Sequence, residues 1–465
     1  MPAVRSRIWP APEGAIQPGH GPLAGTPDAI GRGWLVAGLA ACAVYAAGVA
    51  LLSSSVVERP WGLIAAPCYA AAAVVAALWR RRGTDAALVL SLAGGLLAPL
   101  AWLAARGVQQ REVNVIAWGA HLLIHHGTPY RSVAALAHTT NPDSYNPYLP
   151  AMEVFALGRA VWRHAPLTDP RIWFAVAFTV VFWLALRVTG TRHSARWTAL
   201  VTATPVFAFP LAVSGDDVPV IGLMCLGLGL IYWPERRPAA VVAPARTGGR
   251  TGDQAGAQPQ PAPRPGWAGL ALGVAAAMKA TAWPALLIAV VLVAARDGWR
   301  AAARLAATAL GAFALLVGPV AAVSPSALTD NTIAFPLGLA SVKSGAVSPL
   351  PGVLLAQTGH TGHLIATGLL ALAGLAVVVS LVLRPPRTVP AATRRLIVAL
   401  VLMFTLAPST RFGYYIYPLG LALWLWISHR PPARRAPAQD PGQNQNVDPD
   451  EEPAGAGEGR IPLCG

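Results

Sequence analysis

Twelve apolar runs leave this chain few alternatives, because a helix needs about 20 such residues to cross a bilayer core. They lie at 33–54, 61–79, 85–105, 171–190, 196–213 and 217–233 in the first half of the chain. In the second half they lie at 267–280, 282–295, 303–323, 362–384, 394–408 and 412–428. Only 12% of the residues are charged and 55% are hydrophobic, with mean hydropathy +0.50, whereas a soluble protein carries about 25% charged residues. The expected fold class is therefore all-α: a polytopic membrane protein of about 12 transmembrane helices. A further apolar piece, 149–162, carries Glu153, Arg159 and Arg163 and is expected to lie along the surface or only dip into the bilayer.

The net charge of +15 does not point to nucleic acid, because no basic face with interleaved aromatics is present. The arginines stand in short clusters between the apolar runs, such as Arg80–Arg82, Arg236-Arg237, Arg394-Arg395 and Arg434-Arg435, as the positive-inside rule requires of cytoplasmic loops. A cytoplasmic N-terminus puts most of these clusters inside. The 106–148 segment, the turn at 214–219, the long loop 324–361 and residues 407–415 then fall outside. The expected organisation is a disordered segment 1–32, a transmembrane domain 33–428 and a disordered tail 429–465. A Pro/Gly-rich cytoplasmic linker, 234–265, interrupts the domain. No disulfide framework or zinc spacing links the four cysteines.

One polar stretch stands against this apolar background, "REVNVIAWGAHLLIHHGTPY" at 111–130, followed by "YNPYLP" at 145–150. At 100° per residue Asn114, His121 and His125 form one stripe of an amphipathic helix. Glu112 lies on the other side, with Ile116, Gly119 and Leu123. A carboxylate turned toward protein at a membrane boundary is a functional candidate; the plainer alternative is a helix-start residue paired with Arg111. The histidines share a helix face, but no carboxylate or cysteine completes a metal set, so a headgroup-facing stripe is expected. Asp216 and Asp217 in "SGDDVP" suit either a helix cap or a sugar or cation contact. Lys279, one of only two lysines, sits in an apolar hairpin, where insertion costs about 2.5–3.5 kcal/mol, and is a candidate for holding a phosphate. Arg411, beside Tyr414 and Tyr415, is either part of an aromatic belt or an anion-binding arginine.

The order of Glu112, Gly127-Thr128-Pro129-Tyr130, Tyr145–Pro150 and Gly273…Lys279 resembles the GT-C membrane glycosyltransferases. It is most similar to glycosyltransferase family 87, the actinobacterial α-1,2-mannosyltransferase-like proteins that use polyprenyl-phosphate-mannose. Members of that family carry an acidic residue, a G-x-P-Y, a YPP and a lysine after a glycine-containing span. Two departures stand out. Glu112 replaces the usual Asp and is a methylene longer, and Tyr145-Asn146-Pro147-Tyr148-Leu149-Pro150 replaces YPP.

The resemblance implies a GT-C-like fold with an extracytoplasmic amphipathic helix after the third span. It also implies inverting transfer of a sugar, mannose, from a polyprenyl-phosphate donor to an extracytoplasmic glycan or glycolipid acceptor, with no cofactor and commonly no metal. Glu112 would be the base, Lys279 and Arg411 would contact the donor phosphate, and Asp216 or Asp217 the sugar or acceptor. Tyr130, Tyr145, Tyr148, Tyr414, Tyr415, His121 and His125 would complete the substrate site. Two alternatives stay open: a transporter or flippase, and a GT-C-like protein that has lost catalysis.

Overall fold

The computed structural model describes residues 31–79, 83–162, 165–232 and 264–429. The segments 1–32, 234–265 and 429–465 lie almost wholly outside the described residues. The helices below belong to one compact unit, Arg32–Arg430.

All twelve apolar runs are helical. α1 (Arg32–Leu52), α2 (Glu58–Leu78) and α3 (Gly83–Arg106) come first. The amphipathic helix α4 (Arg111–His126) follows the third span, as the polarity pattern requires. Next come α5 (Pro170–Val188), α6 (Ser194–Ala203), α7 (Pro205–Val213), α8 (Asp217–Tyr232) and α9 (Pro265–Met278). After them come α10 (Trp283–Asp297), α11 (Trp299–Val323), α12 (His360–Leu383), α13 (Val389–Leu406) and α14 (Ile416–Ser428). Among the described residues eight helices are long and apolar enough to span, or nine if the bent pair α6–α7 is one span. The expected count of about 12 is not confirmed by this criterion, since α8, α9 and α14 have 16, 14 and 13 residues. The piece 149–162 is no span: it forms a 3₁₀ segment, Pro150–Ala156, and one short helical turn, Leu157–Val161.

Two irregularities have local causes. Pro205 has no N–H to donate and pushes the residue before it out of the helical region; Thr204 is extended, and α6 and α7 meet at 66°. The Ala203 carbonyl near this break accepts a bond from the Tyr69 hydroxyl at 2.6 Å. In α3 a π-turn at Ala93–Leu97 leaves the Gly95 carbonyl to accept from the Trp61 indole at 2.8 Å.

Helices inside a membrane gain nothing by hiding apolar surface from lipid, so small residues that permit close approach decide their packing. α1 and α2 touch through Gly62, where a Cβ would stand 2.5 Å from the Ala50 nitrogen. α9 and α11 touch through Gly269 and Gly273, where a Cβ would meet the Leu305 and Ala309 carbonyls at 2.2 and 2.4 Å. Gly273 thus has a packing role that sets the position of Lys279 just beyond the end of α9.

The segment expected as the long loop 324–361 is partly structured. It contains Pro325–Thr329, a π-turn Asp330–Ala334 and a short helix Pro351–Gln357. Its middle pairs with the segment that carries Arg411. Val347 and Thr410 form an isolated parallel bridge, and the Thr410 N–H donates to the Ala346 carbonyl at 2.8 Å.

Candidate active site

The charged residues meet where helices end. α8 and α9 pack closely, with a Cβ at Gly227 lying 2.5 Å from Leu272, and the start of α8 meets the end of α9. Asp217 opens α8, where a helix favours negative charge, and Lys279 follows α9, where a helix favours positive charge. Lys279 leaves the helical conformation (φ −156°, ψ 136°). Its ammonium donates to Asp216 Oδ2 at 3.0 Å and to Asp217 Oδ1. Tyr417 donates to the same Asp217 oxygen at 2.8 Å and accepts from Thr281 at 2.8 Å. Ser214 donates to the remaining oxygen of Asp216. The rings of Tyr148 and Tyr414 lie 5.0 and 5.3 Å from the ammonium, within cation–π range.

A lone lysine at this position would be costly to bury; paired with two carboxylates it stays charged. Burial opposes its ammonium, but Asp216 and Asp217 outweigh that and hold its pKa well above the ordinary lysine value. Burial alone would raise the Asp216 carboxyl; the Lys279 ammonium and the Ser214 hydroxyl overcome it and hold it below the usual carboxylate range.

Glu112 stands in the first turn of α4, and its carboxylate pairs with the Arg411 guanidinium. Arg111 instead lies 3.7 Å from Asp143, so the helix-start alternative, a Glu112–Arg111 pair, is not what forms. The Gln110 N–H donates to the Val213 carbonyl at 3.2 Å, fastening the start of α4 to the end of α7, one residue before Ser214. The two ion-pair groups therefore share one neighbourhood, and Tyr148 and Tyr414 both act electrostatically on Arg411. Burial weakens that guanidinium's hold on its proton, and Glu112 more than restores it.

Not every expected residue arrives here. Tyr130 is buried, and its hydroxyl donates to the Tyr148 carbonyl at 2.8 Å, so it holds the Tyr145–Pro150 loop. Tyr145 stacks on Phe335 at 4.5 Å and bonds Ser341, fixing the other end of that loop to the 335–341 segment. The Tyr415 hydroxyl contacts Thr405 at 2.6 Å. His121 stacks on Trp118 at 5.5 Å and lies 4.4 Å from His125, on the side of α4 away from Glu112. The helical period that turns Glu112 toward Arg411 sets these two histidines on the opposite side of α4, apart from the charged cluster.

Two features were missed in the sequence. The first is a cavity of about 770 Å³ with Lys279, Tyr148 and Tyr414 in its wall. The rest of its lining is mostly apolar: Trp283 and Leu287 of α10, Val377 of α12 and Leu402 of α13 among others. Only Gly362, Ala366 and Leu381 of α12 are buried, so this wall is thinly covered. The second is Glu153, fully buried, whose Oε1 accepts from Asn146 Nδ2 at 2.7 Å and whose Oε2 has no hydrogen-bond partner among the described residues. Burial raises its carboxyl well above the usual range and outweighs the Asn146 bond. Asn146 also accepts from the Tyr148 N–H at 3.1 Å and donates its own N–H to Asn331 at 2.7 Å. This network joins the tyrosine loop to the π-turn of the 324–361 segment. Among the described residues no group of three or more His, Cys, Asp or Glu side chains is placed to hold a metal ion.

A sequence-family model, glycosyltransferase family 87, matches residues 150–408, more than half of the chain. The chain belongs to glycosyltransferase family 87. The match takes in Asp216, Asp217, Lys279 and the cavity walls from α10 to α13; Glu112 and the Tyr145–Tyr148 part of the loop lie ahead of it, and Arg411 just beyond. No curated protein matches the sequence. Among solved structures the family 87 chain is similar to ArnT from Cupriavidus metallidurans, in crystals bound to undecaprenyl phosphate and in the apo state. Identities are 18% and 17% and TM-scores 0.44 and 0.41, over 74% of this chain and 60% and 59% of those chains. This chain therefore spans less than two thirds of ArnT's length. The family membership agrees with the family 87 resemblance read from the motifs, and the helical architecture with the all-α, multi-pass fold read from the apolar runs.

Proposed function

We propose that this protein transfers a sugar from a polyprenyl-phosphate carrier to a hydroxyl of a glycan or glycolipid acceptor, at the outer face of the membrane. The observation that carries the reading is the joining of a charged cluster to a mostly apolar cavity through Lys279, Tyr148 and Tyr414. A substrate with an anionic head and a long hydrocarbon tail suits such a site, because the tail replaces lipid contacts while the head meets the cations. Mannose is the proposed sugar on the strength of the motif resemblance alone. No metal or other cofactor is invoked.

In this proposal Glu112 takes the proton of the acceptor hydroxyl as its oxygen attacks the anomeric carbon. The bond from that carbon to the phosphate oxygen breaks, the configuration inverts, and the electron pair leaves with the lipid phosphate. Lys279 and Arg411 stabilise the charge that grows on the phosphate, in a site where burial makes each cation count for more than in water. Asp216 and Asp217 keep Lys279 charged and in place. Glu112 suits the base role better than either aspartate, because among the described residues its side chain pairs with Arg411 alone and is 20% exposed, whereas both aspartates are engaged with Lys279.

The outer-face assignment, with both termini cytoplasmic, rests on the distribution of basic loops. Membership of a glycosyltransferase family favours the enzyme over the transporter alternative. The deciding experiment supplies labelled polyprenyl-phosphate-mannose to membranes containing the wild type or Glu112→Gln. Transfer by the wild type, and at least a hundredfold less by the variant at equal protein level, is expected for a lost general base. Equal transfer by both would remove Glu112 from the mechanism. A wild type inert toward mannose and toward other lipid-linked sugars would favour a protein that has lost catalysis.

A further inference from the structure

The balance of charge in the site is unusual for one that must receive an anion. Three carboxylates, Glu112, Asp216 and Asp217, face two cations, Lys279 and Arg411, so the cluster is net negative before any phosphate arrives. An incoming phosphate must therefore take a cation away from a carboxylate. The two cations are not equally held. Lys279 is shared by two carboxylates and two aromatic rings, with its side chain 10% exposed, whereas Arg411 has one carboxylate partner and is 43% exposed. Arg411 is the cation that can be moved.

We propose that the donor unlocks the base. On this reading, which rests on the proposed function, Arg411 leaves Glu112 for the lipid phosphate, and Glu112 is free to accept the acceptor's proton only once the donor is seated. The exchange keeps one cation against one anion throughout, so it breaks a pair only by forming another. Lys279 stays with the aspartates and serves as the fixed part of the phosphate site. Arg411 sits next to Thr410, whose backbone bonds to Ala346 and Ser348, so its backbone is anchored while its side chain reorients. The order of events follows directly: donor first, acceptor activation second. Glu112 thus has two functions, inhibitor of Arg411 in the empty site and base in the loaded one.

A consequence separates this from a passive ion pair. Removing the base should improve donor binding, because Arg411 no longer has a competitor and the phosphate no longer meets a nearby carboxylate. Binding of undecaprenyl phosphate, which carries no sugar and cannot react, would be measured on the full chain in nanodiscs. Glu112→Gln is expected to bind about fivefold more tightly than the wild type, since a half-exposed ion pair competes at about that level. Arg411→Ala should bind more weakly than the wild type, and the gain in Glu112→Gln should shrink at high salt. As an independent measurement on the unaltered chain, a water-soluble carbodiimide should label Glu112 faster when undecaprenyl phosphate is bound.

Unchanged or weaker binding by Glu112→Gln, or labelling that stays level or falls, would overturn the unlocking even if transfer still depends on Glu112. Failure of the wild type to bind the lipid would overturn the unlocking together with the donor assignment. A wild type that binds and unlocks but transfers no sugar would leave the exchange standing and sink the proposed reaction.

Discussion

Replacing Lys279 by methionine is the sharpest test of what holds the charged cluster together. The side chains of Lys279, Asp216 and Asp217 are 10%, 6% and 17% exposed, so the substitution leaves two nearly buried carboxylates facing each other without a counterion. Breaking a buried pair by removing one partner costs about 3–5 kcal/mol. A second route to the same size is protonation of one aspartate at neutral pH, which costs about 4 kcal/mol from an ordinary carboxyl pKa. The two figures agree, so Lys279→Met should lose about 4 kcal/mol. The loss should shrink as pH falls, because the freed aspartates would be proton-binding groups in the folded state. Their folded pKa lies above the unfolded value, so folding is favoured at low pH and disfavoured as pH rises, by at most about 1.4 kcal/mol per unit for each proton.

Its control is the triple replacement Asp216→Asn, Asp217→Asn, Lys279→Met, which removes the charges together. Uncharged replacements of a buried ion cluster are often neutral in stability, so the triple variant should recover most of what the single variant loses. Reversible unfolding in detergent, followed at several pH values, measures both. Neither variant should bind undecaprenyl phosphate well, which separates stability from function. If Lys279→Met is as stable as the wild type, or the triple variant is as unstable as the single one, the cluster is not held by charge.

Glu153→Gln should unfold with less pH dependence than the wild type. The raised carboxyl of Glu153 makes the wild type lose stability as pH climbs above the ordinary carboxylate range, and an amide removes that proton from the balance; thermal melts from about pH 5 to about pH 8 would show it. Glu153→Ala, by contrast, leaves the Asn146 amide without its partner and should cost about 1–3 kcal/mol, with weaker lipid-phosphate binding because Tyr148 follows Asn146. Gly119→Ala puts a Cβ 2.7 Å from Glu153 Oε1 and 2.6 Å from Asn146 Nδ2; the crowding should cost about 1–3 kcal/mol and shift the tyrosine loop, read as a lower melting temperature and reduced donor binding. Tyr130→Phe leaves the Tyr148 carbonyl without its donor and should destabilise by about 1–3 kcal/mol, again measured by unfolding in detergent.

Hydropathy made the helices legible, because the bilayer imposes one length and one kind of surface on every span. It located all twelve helical runs but not their ability to span. α8, α9 and α14 are apolar throughout yet short, since their ends at Asp217, Lys279 and Tyr415 are given over to the site and its surroundings. The same periodicity that sorted Glu112 from His121 and His125 placed the base candidate correctly on the inward side of α4. The partners lay beyond its reach. Glu112 meets Arg411 across 299 positions, and Lys279 meets Asp216 across 63; no local spacing links such pairs. Glu153 stood in plain view as a charge in an apolar piece, but its complete burial, with Asn146 and Gly119 packed against its carboxylate, is made only by the fold.

The positions of the charges follow from the helices' own electrostatics. A carboxylate opening α8 and an ammonium closing α9 each sit where the backbone dipole favours them, and the close packing of the two helices brings those ends together. A strong, shared ion cluster is therefore the low-energy arrangement for Lys279, and it is poorly suited to rearrange. Glu112 is also in the first turn of its helix, but Arg411 is an extended residue ahead of a short 3₁₀ turn, next to Thr410, whose backbone bonds to Ala346 and Ser348, and it neither opens nor closes an α-helix. Of the two cations, the one free of such a constraint is the one whose partner is the candidate base. A site built with one fixed and one exchangeable cation can hold a lipid phosphate and release a carboxylate in the same movement, which is why tighter binding by Glu112→Gln is the result that bears most directly on how this site works.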